Sequence, residues 1–221
     1  MTFAGFDPGA VALLDALPGW DADRYAQHRP RLVKGVTQPG AALIAEVAER
    51  LDANLRVVPR SSVSPLHRDL RFAAAGTPRY KDHLLLTTWQ GADKQTAPVL
   101  WIRIDAHHAG FQSSMGFTPV TRERWRQAVA GDQGAALDRL LGRLASARGA
   151  ETGGEALKRV PASYPSDHPR ADLLRRTAIF ARFIEPLPDV LDSPRFATWC
   201  VERLAALLPI HQWLVVHVAE G

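Results

Sequence analysis

Four short stretches of this chain carry the residue types that chemistry needs. His67-Arg68-Asp69-Leu70-Arg71-Phe72 is followed closely by Thr77-Pro78-Arg79-Tyr80-Lys81-Asp82-His83. Far downstream come Leu157-Lys158-Arg159-Val160-Pro161 and Tyr164-Pro165-Ser166-Asp167-His168-Pro169. Arg68, Arg71 and Arg159 offer rigid guanidinium forks, and Lys81 and Lys158 mobile point charges. Together these suit a phosphate or carboxylate, with Asp69 beside them in the first motif. Tyr80 and Tyr164 would stack on a base or donate a hydroxyl. In Asp167-His168 a carboxylate beside an imidazole is the pairing that a general acid–base histidine uses.

Each of these has a bland counterpart. If the first motif is extended, Leu70 and Phe72 face the core and Arg68 goes with them, leaving Asp69 and Arg71 on the other face. A buried arginine needs a partner, and Asp69, Asp82 or Asp167 would supply one. The motifs then form an internal ion-pair network rather than a pocket. Asp167 would equally cap a helix starting near Pro169, and the tyrosines would be core residues anchored by one hydrogen bond. The residues alone leave both readings open.

Composition narrows the classes. The chain has 221 residues, 46% hydrophobic and 23% charged, which is ordinary for a globular protein and wrong for a disordered tail, a collagen or a coiled coil. Its net charge is +4, carried by 23 Arg and only four Lys (Lys34, Lys81, Lys94 and Lys158). The surplus is central: residues 1–60 are neutral, 61–110 carry +2, 111–160 carry +3, and 161–221 carry −1. No block of five like charges exists, so nucleic-acid binding is the weaker expectation. One cysteine, Cys200, excludes an internal disulfide framework. The histidines fall at no metal-binding spacing, and no metal site is expected. No stretch approaches a membrane span, and a soluble, cytoplasmic protein is expected. Phosphate-loop, dinucleotide, zinc-protease and nucleophile-elbow signatures are missing. The residues themselves name no cofactor and no oligomeric state, and they leave open whether the chain is an enzyme.

The elements that must position the motifs follow from periodicity. Asp7-Pro8 caps a first helix, Asp21 to about Leu32 forms a second, and Pro39 opens a third with Leu43, Ile44, Val47 and Leu51 on one stripe. Leu84–Trp89 and Val99–Ile104 read as a hairpin, with Phe111–Phe117 as a third strand. Thr118-Pro119 caps another helix, residues 147–154 form a small, glycine-rich loop, and residues 157–161 form a short strand. A short helix over residues 168–176 and a strand over residues 179–184 follow, then a long helix after Ser193-Pro194. The expected fold is α+β, a single domain with a central, mainly antiparallel sheet flanked by helices. Its parts are a helical third over residues 7–52, a sheet-rich middle over 55–117 and a mixed part over 118–218.

The four motifs, in this order, resemble a widespread conserved-hypothetical family of bacteria and fungi, a domain of unknown function. Its members carry Arg-Asp-x-Arg-Phe, a Thr-Pro-Tyr-Lys box, Leu-Lys-Arg-x-Pro and then Tyr/Phe-x-x-Asp-His-Pro. The resemblance runs from about Leu13 to about Trp213. This chain is similar to a divergent member. Arg24-Tyr25 stands where relatives have Trp-Phe, Ala73-Ala74-Ala75-Gly76 replaces a charged run, and Arg79 is an extra residue in the box. The resemblance implies kinship and no agreed activity. The leading functional expectation is a small anionic ligand at the Arg/Lys motifs. The alternative is a non-catalytic interaction or scaffold protein.

Overall fold

Every second residue of Val99–Ile104 is buried (Leu100, Ile102 and Ile104), the period-two signature of a strand with one face on the core. The computed structural model describes residues 2–51 and 53–220. It contains a five-stranded antiparallel sheet. The strands are β1 (Leu84–Trp89), β2 (Val99–Ile104), β3 (His108–Gly116), β4 (Glu151–Gly153) and β5 (Ala178–Pro186), in the order β1-β2-β3-β5-β4. Helices α1 (Pro8–Ala16), α2 (Ala22–Leu32), α3 (Gln38–Leu51) and the single turn α4 (Pro59–Ser62) precede the sheet. Helices α5 (Pro119–Ala130) and α6 (Asp132–Arg148) lie between β3 and β4 in sequence. The turn α7 (Ala171–Leu174) leads into β5, and α8 (Arg195–Leu214) follows it. The fold is α+β, as the periodicity predicts. Asp52, the last residue of the expected helical third, lies outside the described residues.

Two expectations are corrected here. The glycine-rich segment over residues 147–154 is not all loop: Glu151, Thr152 and Gly153 pair with Arg182, Ala181 and Phe180 as edge strand β4. Conversely, residues 157–161 form no strand, and the local pairing is a lone bridge between Ala156 and Arg176.

Residue contacts gather into two compact units. The first holds Met1–Thr88, Trp101–Gly110 and Ile184–Glu202. Its core includes Phe3, Phe6 and Phe196, whose rings pack against one another at 5.3–6.2 Å. Gly40 of α3 lies so close over β1 that a Cβ there would meet the Leu84 side chain at 2.6 Å. The α2 helix passes into α3 through a π-helical turn, Val33–Thr37, and Pro39 gives a physical reason. Proline lacks the N–H that would bond the carbonyl four residues back, that of Gly35. The Asp7 N–H supplies the missing donor at 3.1 Å.

The second unit holds Trp89–Leu100, Phe111–Phe183 and Arg203–Gly221. Trp125 is fully buried between Phe117 and Trp213, and its Nε1 donates to the Leu173 carbonyl at 2.8 Å. Thr118 and Thr121 close a reciprocal capping box on α5. At the other end of α5, Arg170 Nε donates to the Val129 carbonyl at 2.6 Å and Nη2 to those of Ala130 and Gly131 at 3.0 Å. The guanidinium thus satisfies carbonyls that a helix end leaves without partners. In α8, His211 is fully buried and neither ring nitrogen has a hydrogen-bond partner among the described residues. Cys200 is buried on the apolar side of the same helix, as its position predicts.

Candidate functional site

The first two motifs meet each other. His67 and Tyr80 form an isolated antiparallel bridge, flanked by bonds from the Arg68 N–H to the Arg79 carbonyl (2.8 Å) and from the Lys81 N–H to the Leu66 carbonyl (2.7 Å). Alternation along an extended chain then sends His67 and Tyr80 to one side and Arg68, Arg79 and Lys81 to the other. Tyr80 is buried, its ring stacked on Tyr25 at 4.2 Å with 12° between the planes. Burial raises the Tyr25 hydroxyl above its ordinary pKa, against the lowering influence of Arg29.

Arg68 and Lys81 form no ion pair with any described residue. Arg68 Nε is buried without a hydrogen-bond partner. Burial lowers the Lys81 pKa, and the charge of Arg68 lowers it further. Two cations therefore share one side of the bridge, and no described carboxylate pairs with either.

If the first motif were extended, Leu70 and Phe72 would face the core; the structure shows that they do not. Past His67 the chain leaves the ladder and turns, so Leu70 is exposed and Phe72 is 94% exposed. Arg68 is half-buried and takes none of the three expected carboxylate partners. Asp69 instead binds Arg71 in a local fork, with Nη2 to Oδ2 at 2.5 Å and Nε to Oδ1 at 2.9 Å, fully in solvent. That fork holds the Asp69 carboxyl below the usual range and raises Arg71.

Asp82 has another role, which sequence inspection missed. Its Oδ1 contacts His83 Nδ1 at 2.5 Å, and its Oδ2 accepts from Arg103 Nη2 at 3.2 Å. Arg103 also binds Asp105, which accepts the backbone N–H groups of His107 and His108 in the β2–β3 turn. Burial pushes the Asp82 and Asp105 carboxyls up, but these bonds and charges outweigh it and both end lowered. Burial drives His83 down despite its Asp82 contact, with Arg103 adding to the fall. This cluster is a structural ion-pair network. The i, i+2 spacing of Arg103, near the end of β2, and Asp105, just past it, was the available signal.

The downstream motifs belong to the second unit. Lys158, Arg159 and Asp167 are exposed on loops, and Tyr164 and His168 are half-buried. Burial raises the Tyr164 hydroxyl, and Glu123 raises it further. His168 Nδ1 accepts the Arg170 N–H at 3.0 Å, so the residue reaching toward α7 is the histidine. The expectation that Asp167 caps this helix fails: Arg170 stands at the cap, and its own side chain makes no capping bond. Among the described residues no helix is long and apolar enough to cross a membrane.

The model of a family described as a conserved hypothetical protein (DUF2461) matches residues 22–213. No curated protein matches the chain.

Proposed function

The chain belongs to this family of conserved hypothetical proteins, and from that premise we propose that it binds a small anion, phosphate- or carboxylate-bearing, at Arg68 and Lys81. One observation carries the reading: these cations share a side of the His67–Tyr80 bridge, and no described carboxylate pairs with either. Placing like charges together in partly buried surroundings costs stability unless a counter-charge enters. An anion between the guanidinium and the ammonium would relieve that cost through charge-assisted hydrogen bonds. Arg79, on the same side, would add a third donor. The Arg103 network makes the scaffold reading apt for its own residues, since those charges are already satisfied.

Calorimetric titration with inorganic phosphate, pyrophosphate and citrate tests the proposal. Binding that weakens with added salt and falls about tenfold or more in both Arg68→Met and Lys81→Met is expected. Equal affinity in wild type and both variants, or no binding of any of the three anions, would overturn it.

A further inference from the structure

The π turn Val33–Thr37 borders a hollow in the first unit that none of the four motifs touches. The hollow has a volume of about 610 Å³, and Phe6, Asp7, Arg31, Lys34, Gly35 and Asp192 contribute to its wall. Small-molecule sites occupy roughly 300–1,000 Å³, so the space suits a ligand of modest size. π turns recur at functional sites, because the extra residue re-aims side chains that an α-helix would carry elsewhere.

The backbone around the hollow is built tightly. Gly5 has φ +119°, where only glycine is at ease, and a Cβ there would meet the Asp192 carbonyl at 2.2 Å. A Cβ on Gly35 would meet that of Ala10 at 2.6 Å, and one on Gly9 would meet the Arg31 guanidinium at 2.3 Å. The N-terminal segment is tied down by two backbone bonds, Phe6 N–H to the Leu191 carbonyl and Asp7 N–H to the Gly35 carbonyl.

Four charged residues contribute to the wall of this space, and the side chains of two are already committed. Asp7 accepts the Ala10 N–H at 3.2 Å as the cap of α1 and the Arg31 Nε at 3.4 Å. The other two, Lys34 and Asp192, have opposite charges and line the same hollow. Neither pairs with the other or with any described residue, so more than an ion-pair distance separates them. We infer that the hollow binds a small zwitterion of the α-amino-acid type, its carboxylate on the Lys34 ammonium and its ammonium on the Asp192 carboxylate. A ligand bearing both charges satisfies both walls at once, whereas a simple anion leaves Asp192 facing it. The apolar edge from Phe6 and the two prolines, Pro30 and Pro39, would receive a side chain.

The site shares no residue with Arg68 and Lys81, so its test is separate. Purified full-length protein is titrated calorimetrically with the free proteinogenic amino acids, then with the N-acetyl and carboxamide forms of the best binder. The expected result is saturable binding of at least one amino acid, weakened about tenfold or more by blocking either charged end. Lys34→Met and Asp192→Asn should each cause a comparable loss, and inorganic phosphate should not compete. Lys34 and Asp192 are both exposed, so both substitutions should keep the fold and each reads the site by itself. No binding of any amino acid at millimolar concentration would overturn the inference, as would an affinity indifferent to N-acetylation or to Asp192→Asn.

Discussion

The Asp7 N–H donates to the Gly35 carbonyl at 3.1 Å, across 28 residues of chain. Four residues after Gly35 stands Pro39, which has no N–H to offer that carbonyl, so a defect in the helix becomes the anchor for the start of the chain. The approach also depends on Gly35 having no side chain, because a Cβ there would overlap those of Ala10 and Asp7 at 2.6 and 2.9 Å. Gly35→Ala should therefore destabilise the fold by about 1–3 kcal/mol through overpacking. Urea unfolding measures this, and an unchanged midpoint would contradict the packing.

Arg103 and Lys81 separate the two meanings of a charged motif. Arg103 binds both Asp82 and Asp105 with most of its side chain covered, so Arg103→Met leaves two carboxylates without their cation and should cost about 1–3 kcal/mol. Lys81 has no such partner and is pushed toward neutrality by burial and by Arg68. Lys81→Met should leave thermal stability unchanged or raise it, as groups kept for binding often do. A large loss of stability in Lys81→Met would make it a structural residue.

His211 should make the fold acid-sensitive. Burial lowers its pKa from the ordinary value near 6.5 to about 4, so the folded state favours the neutral ring. The stability from that preference is complete above pH 6.5 and is lost as the pH falls from 6.5 toward 4, where the folded state too takes up the proton. The loss approaches about 3 kcal/mol at the lower end. His211→Leu should flatten this part of the stability–pH curve. Denaturant titrations at pH 7, 5.5 and 4 compare the two proteins, and parallel curves would remove His211 from the account.

Legibility in the sequence followed how local each cause was. β1 and β2 match their expected limits because each is written locally: Leu84–Trp89 is an apolar and β-branched run buried at every position but Leu85, and Val99–Ile104 alternates in burial residue by residue. β4 was hidden, since Glu151-Thr152-Gly153 has no strand pattern and is held by pairing with β5 and by the Arg182 fork on Glu151. The first motif misled for a related reason. Its ladder stops at His67, so the alternation assumed for Leu70 and Phe72 has no partner strand to enforce it. Arg68, Lys81 and Tyr80 were legible as residue types, but their meeting depended on a bridge thirteen residues long in sequence, from His67 to Tyr80. Lys34 and Asp192 gave no signal, because the hollow between them exists only once Asp7 has found Gly35.

A π turn is a helix carrying one residue too many. It absorbs a single insertion without shifting the register of the helix on either side. In sequences otherwise like this one, a one-residue gap between Leu32 and Gln38 would mark proteins whose α2 and α3 join without the π turn. Such proteins would give Lys34 a different bearing, and the amino-acid-sized hollow would be absent from them. The length of that short stretch would then sort the family into members with the hollow and members without it.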